Sequence, residues 1–290
     1  MIIRKLELDE QPLILPLWEL CFPDFWEQLA VKNGKLPYEE ICFAAFDGCR
    51  AVGHCGIIPY TIECGGKLFR MAGIASVATL PEYRHRGIAR DLCGFAAVWA
   101  ENLGFESAPL YTAYFRVYES ASWRKLAVPP ALSASSGNGA SWKRGSELTA
   151  QEKSLIPEIY SVSGSFDGKV IRQTSGTLHS WERIFAEPDF LFAVTEKMYS
   201  VKADETVIEF NALPDVPLAS RKEFFHTLGS NGKTDFLLPP APEIKELLSS
   251  LELQPSPHDP MHGELPMIRD FGNRHFHSAH EIFFPVTDKF

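Results

Sequence analysis

The chain has 290 residues, 45% of them hydrophobic and 12% aromatic, enough apolar material for one large domain or two smaller ones, so a disordered chain is excluded as the default. Its formal net charge of −9 argues against nucleic acid and anionic membranes as partners, because both are held chiefly by clustered Lys and Arg. No apolar run approaches the roughly 18 residues of a membrane span, and Arg4 and Lys5 come too early for a signal peptide, so the sequence predicts a cytoplasmic protein.

In chain order, residues 2–6 suit a short strand, and 9–20 and 25–32 suit two short helices broken at Pro23. From Ile41 the pattern is β: a strand over 41–46, an Asp47-Gly48 turn, then a strand from Arg50 towards Ile58. A second hairpin turns at Gly65-Gly66, and its outgoing strand runs over 72–79 to stop at Pro81. The six cysteines all fall between Cys21 and Cys93 without CxxC spacing, and are read as reduced, buried thiols. After Arg90 the period changes to about 3.6, with Ile88, Leu92, Phe95, Ala96, Trp99 and Leu103 on one face, which predicts an amphipathic helix. A short strand over 110–113 and a helix over 115–126 follow.

Between 128 and 150 the composition turns to Pro, Ser and Gly, which predicts a linker. The expected organisation is therefore a first domain over 1–127, a linker over 128–152 and a second domain over 153–290. Within the last, a helix is predicted near 178–185, a meander over 190–210, helices at 220–229 and 242–251, and late strands at 265–269 and 281–285. Five of the nine histidines cluster late, at His258, His262, His275, His277 and His280. With no Cys nearby, and with Pro257 and Pro260 breaking any helix that would align the first pair, the segment is read as binding no metal.

The informative segment is an apolar strand, a loop holding Arg84, His85 and Arg86, and a helix whose first turn is Gly87-Ile88-Ala89. The first amides of a helix have no intrahelical partner and carry partial positive charge, so a phosphate binds there readily. Gly87 and Ala89 keep side-chain bulk away, while Arg84, Arg86 and Arg90 supply counter-charge. The Walker and dinucleotide fingerprints are absent.

Residues 76–89, with Arg84, Gly87 and Ala89 at the places of the Arg/Gln-x-x-Gly-x-Gly/Ala signature, resemble motif A of the GNAT N-acetyltransferases. About thirty residues on, Val117-Tyr118-Glu119-Ser120-Ala121-Ser122-Trp123 is similar to the family's segment of a Tyr followed by Gly-Phe, with Trp123 for the aromatic and Ser122 in place of the Gly. The stretch from Gly53 to Thr79 is most similar to the enhanced intracellular survival branch, which joins an active first acetyltransferase domain to a degenerate second one.

The resemblance implies an α+β GNAT fold, a mixed and mostly antiparallel sheet flanked by helices, followed by a degenerate GNAT-like domain whose C-terminal tail returns to the first. It implies acetyl-coenzyme A as cofactor, held by main-chain groups at Val77, Ala78 and Thr79 and by Arg84, His85, Arg86, Gly87, Ile88 and Ala89. Tyr118 would protonate the departing sulfur. The acyl acceptor would be a small-molecule amine or a lysine side chain. For the base, residues 72–79 hold no carboxylate; Glu63 is one candidate, and the branch implies instead the chain-terminal carboxylate of Phe290. The alternatives are a non-catalytic acyl-CoA binding module and a structural protein with a worn-out site.

Overall fold

The computed structural model describes all residues except 23–24, 37–40, 138, 230–231, 258, 260, 272–281, 284 and 286–290, and the side chains of 25–27 are also left aside. Its elements in chain order begin with β1 (Ile2–Lys5), α1 (Leu15–Cys21), α2 (Phe25–Asn33), β2 (Ile41–Asp47), β3 (Arg50–Cys64) and β4 (Lys67–Thr79). β3 and β4 form a long hairpin because Gly65 and Gly66 both adopt positive φ, 54° and 70°, as a tight two-residue turn between twisted strands requires. Then come α3 (Ile88–Asn102), β5 (Ser107–Thr112), α4 (Phe115–Glu119) and β6 (Arg124–Lys125). α3 buries Ile88, Leu92, Cys93, Ala96, Ala97 and Ala100 against the sheet. It sits close to β3 because Gly53 has no side chain there: a Cβ would lie 2.7 Å from Ile88 Cγ2.

The second half contributes β7 (Leu132–Ser135), β8 (Lys143–Arg144), α5 (Ala150–Val162), β9 (Lys169–Val170), α6 (Trp181–Ala186), β10 (Phe190–Val194), β11 (Met198–Ala203) and β12 (Thr206–Ala212). It ends with α7 (Leu218–Thr227), β13 (Lys233–Phe236), α8 (Pro242–Ser249), β14 (Leu253–Pro255) and β15 (Leu265–Asp270). Two mixed sheets result, in agreement with the α+β expectation. One runs β1-β2-β3-β4-β5-β15-β6 with β9 added to β3, and the other β14-β7-β13-β12-β11-β10-β8.

Three features differ from the sequence expectations. Residues 132–135 and 143–144, read as linker, are strands of the second sheet; Ser133 and Ala134 are small and buried there, so their composition reflects close packing rather than flexibility. The helix expected over 115–126 stops at Glu119, because Ser122 takes a positive φ of 72° that no helix continues through. The strand expected at 265–269 forms, but in the first sheet: β15 pairs antiparallel with β5 from Leu265↔Thr112 to Asp270↔Ser107, so the first sheet is completed by chain from far downstream. Of the late strand at 281–285, only residues 282, 283 and 285 are described, and none is in a strand.

Candidate active site

β4 is bulged where it matters. Gly56 faces Ala75 and His54 faces Ala78, so Ser76 and Val77 together oppose the single residue Cys55. Ser76 carries a φ of 50°, a left-handed conformation that costs a non-glycine residue roughly 1–2 kcal/mol. The bulge is held from behind by His54, fully buried, whose Nδ1 lies 2.8 Å from the Ser76 carbonyl oxygen. Trp18 Nε1 is 3.3 Å from the same nitrogen, but a carbonyl can only accept, so the shorter contact puts the proton on Nδ1 and leaves Trp18 as an edge-on ring neighbour. Burial pushes the imidazole pKa down to about 4, so His54 is neutral at physiological pH.

That shift predicts a pH dependence. The depressed folded pKa means that the native state binds fewer protons than the unfolded chain, so stability present at pH 7 is lost as pH falls from about 6.5 to about 4. The loss is roughly 3 kcal/mol for this one group. Urea unfolding at pH 7 and pH 4.5 should show that difference shrink in His54→Gln; an equal pH dependence in both proteins would show that His54 does not titrate in this way.

β4 and β5 pair in parallel at one register only, Met71↔Ser107, so beyond that point they diverge, and among the described residues no strand pairs with that edge of residues 72–79. Val77, Ala78 and Thr79 lie on this stretch. Thr79 also has a buried Oγ1 that finds no hydrogen-bond partner among the described residues. Its carbonyl accepts from Arg84 Nε at 3.2 Å, which draws the loop back over the strand end.

The loop turns through two left-handed residues, His85 at φ 63° and Gly87 at φ 81°, and Gly87 is the N-cap of α3 with no side-chain capping bond. The first helical bond is Asp91 N–H to Gly87 O at 3.0 Å, so the amides before it face the loop. Ile88 turns its side chain into the core at 2% exposure and can offer only its backbone to this cradle. Arg86 Nη2 donates to Glu82 O at 2.9 Å and its guanidinium stacks over Tyr83, while Arg90 pairs with Asp91 at 2.7 Å. A Cβ on Gly87 would come within 3.1 Å of Arg90 Nη2. An open strand edge with an orphaned hydroxyl, leading to a bare helix N-terminus ringed by arginines, fits an extended amide-bearing arm ending in a diphosphate.

Tyr118 sits on α4, buried with its ring edge-on to Trp123 and its hydroxyl against the Thr112 side chain. Burial first, then the neighbouring Cys93 and Cys55 thiols, push its pKa well above the usual value of about 10. Trp123 is fixed by its Nε1 donating to Ala108 O at 2.6 Å. Ser122, standing where the family has Gly, adopts the φ of 72° that favours glycine. Ser122→Gly should therefore stabilise the fold by about 1 kcal/mol, read as a higher urea midpoint. An unchanged or lower midpoint would contradict the assignment of strain.

Glu63 is not in this site. It lies nine residues along β3 from His54, about 30 Å away at the strand rise, and its carboxylate accepts from Ser165 Oγ at 2.6 Å. Phe290 falls outside the described residues, as do His258, His275, His277 and His280. The chain leading towards Phe290 does reach the first sheet: Ile282 and Phe283 are buried, Phe283 N–H donates to Asp167 O at 2.9 Å, and the Pro285 carbonyl is 3.4 Å from the Tyr111 hydroxyl. His54 and the neighbourhood of Glu264, whose charge is felt at Tyr118 because β15 runs beside β5, were not singled out by sequence.

Residues 2–125 match the family model described as the acetyltransferase (GNAT) domain. That match covers the first 43% of the chain, and it is this part that is similar to the GNAT acetyltransferases. The fold of nearly the whole chain is shared with three crystal structures. A GCN5-related N-acetyltransferase from Anabaena variabilis ATCC 29413 superposes with TM-score 0.63 at 15% identity, over 93% of this chain and 72% of that one. One from Kribbella flavida gives 0.59 at 17%, over 93% and 71%. Eis1 from Mycobacterium abscessus gives 0.58 at 16%, over 93% and 72%. No curated protein matches the sequence. The GNAT-type superpositions extend beyond the matched domain, and within the second half β11-β12-α7-β13 repeats the order of β3-β4-α3-β5, including a parallel β12–β13 pair.

Proposed function

We propose that the chain moves the acetyl group of acetyl-coenzyme A directly onto a primary amine, on a small molecule or a lysine side chain. The observation that carries this reading is the bulged, open stretch of β4 running straight into the left-handed Gly87 cap of α3. Val77 to Thr79 pair with the amide-bearing arm, the loop amides from Arg84 to Ala89 take the diphosphate, and Arg84, Arg86 and Arg90 neutralise it. Acetyl-coenzyme A supplies an activated thioester. The amine nitrogen bonds to the carbonyl carbon and the carbon–sulfur bond breaks.

The chain's own groups then do three things. A backbone N–H of the bulge faces the carbonyl oxygen on which negative charge develops. Tyr118, kept protonated by its raised pKa, gives its proton to the leaving sulfur. The amine's proton goes to an acceptor, and we assign that role to the carboxylate of Phe290. Deleting Lys289 and Phe290 should abolish transfer while coenzyme A binds as before. Unchanged turnover in that truncated chain would remove Phe290 from the mechanism. The reading as a whole is tested by thiol release from acetyl-coenzyme A over a panel of amines; a binding module would take up coenzyme A and release no thiol with any of them.

A further inference from the structure

β9 and the loop that follows it belong by sequence to the second half, yet they sit on the first sheet. β9 pairs antiparallel with β3 at Ile62↔Val170 and Glu63↔Lys169, and Ile171 N–H donates to Thr61 O at 2.8 Å. Residues 173–180 then close on themselves: Gln173 N–H donates to His179 O and Trp181 N–H to Gln173 O, both at 2.9 Å. Near the end of this loop the His179 ring lies 4.3 Å from that of Tyr60 on β3. Leu178 is buried with Ile58 of β3 and Ala75 of β4, in a cluster separate from the core under α3.

Ala75 is the residue immediately before the bulge. Ser76 follows it at φ 50°, and a conformation of that kind persists only where the surroundings hold it. His54 Nδ1 holds the Ser76 carbonyl at 2.8 Å. His54 and Ile58 stand four residues apart on β3 and so share one face of the sheet, while α3 covers the other, where Gly53 meets Ile88. The bulge is thus gripped at two points on the face away from α3. The imidazole takes Ser76, Leu178 packs with Ala75, and the second grip comes from the other half of the chain.

The loop that carries Leu178 is fixed at both ends. Before it, the Arg172 guanidinium lies between the Tyr160 and Trp181 rings, 4.2 and 4.7 Å from their centroids. It forms a bidentate pair with Glu209 of β12 at 3.0 and 2.6 Å, with both side chains buried, and the Tyr199 hydroxyl donates to the same carboxylate. A charge buried this deeply is stable only beside its partner, so Arg172 sets where the loop starts. After it, Ser180 caps α6, accepting from Arg183 N–H at 3.3 Å. We infer that Leu178 is a positioning residue for acetyl transfer, through which the second half keeps the β4 bulge aimed at the reacting carbonyl. The inference rests on the reading of that bulge as part of the acetyl-transfer site. A backbone N–H shifted by about 1 Å from a developing oxyanion loses much of its effect, whereas the loop amides around Gly87 lie at the cap of α3, away from Leu178.

Leu178→Ala opens a void beside Ala75 into which the bulge can relax. In the full chain it should lower kcat for amine-dependent thiol release by about tenfold or more at saturating acetyl-coenzyme A, with coenzyme A affinity within about twofold of wild type. Leu178→Met, which keeps the volume, should restore most of the rate. Leu178→Val removes less and serves if the Ala variant does not fold; it should lower kcat by about threefold. Ile244→Ala on α8 is the control, since it loses comparable buried packing in another cluster of the second half and should keep the wild-type kcat. Hydrogen–deuterium exchange over residues 72–79 gives a readout independent of turnover, expected to be about fivefold faster or more in Leu178→Ala and unchanged in Ile244→Ala. Wild-type kcat or wild-type exchange in the Leu178 variants, or an equal loss of kcat in Ile244→Ala, would overturn the inference. Absence of thiol release from the wild-type chain would count against the acetyl-transfer reading alone, and the exchange rates would still show whether Leu178 holds the bulge.

Discussion

Gly87→Val should weaken coenzyme A binding by at least about tenfold while leaving the helical content of the protein unchanged. Gly87 caps α3 at φ 81°, a conformation that costs an L-residue roughly 1–2 kcal/mol and a β-branched one more. The added Cβ would also press on Arg90 Nη2 at 3.1 Å, moving one of the arginines we assign to the diphosphate. The strain is relieved most easily by rotating the loop peptides, and those amides are the ones we assign to the diphosphate. Packing of α3 is untouched, because Ile88, Leu92 and Ala96 hold it to the sheet independently of the cap. Titration with coenzyme A, with circular dichroism as the control for folding, decides the matter. Wild-type affinity in the variant would move the phosphate site elsewhere.

Tyr118→Phe should lower kcat by about two to four orders of magnitude, the usual worth of a positioned proton donor, with coenzyme A affinity unchanged. The ring stays packed against Trp123, so the substitution removes only the hydroxyl. The pH profile provides a second readout. Because burial raises the Tyr118 pKa well above about 10, the donor form persists throughout the neutral and mildly alkaline range. The wild-type rate should therefore rise with pH as the acceptor amine loses its proton, with no fall near pH 9. A variant at the wild-type rate would make Tyr118 an ordinary packed side chain, and a wild-type rate that fell between pH 8 and 9 would assign the donor to another group.

Local chemistry made much of this legible in the sequence. The Gly65-Gly66 turn and Gly87 each state a backbone requirement in residue types that the structure meets, and of the face read from the 3.6-residue period Ile88, Leu92 and Ala96 are buried while Phe95 and Leu103 are largely exposed. Long-range pairing is where the reading failed. β15 alternates no differently from any other strand, and nothing in its residues says that it joins β5, about 150 residues upstream, rather than its neighbours in sequence. For the same reason the neighbourhood of Glu264 at Tyr118 was invisible. The Ser- and Gly-rich stretch around Ser133 reads as a linker by composition, yet small side chains also suit a crowded strand. The helix α5 carried a signal that was passed over: Thr149 and Glu152 form a capping box, with Glu152 N–H donating to Thr149 Oγ1 at 3.2 Å. His54 gave no periodic signal, because its role depends on a bulge in the partner strand.

The central claim is that the β4 bulge and the α3 cap together form an acetyl-transfer site. It is tested most directly by following thiol release from acetyl-coenzyme A with a panel of primary amines, in the wild-type chain beside Gly87→Val and Tyr118→Phe. The account predicts amine-dependent release in the wild type, release in Gly87→Val that recovers as acetyl-coenzyme A is raised, and release in Tyr118→Phe that stays low at saturation. Coenzyme A binding with no amine-dependent release from the wild type would contradict it.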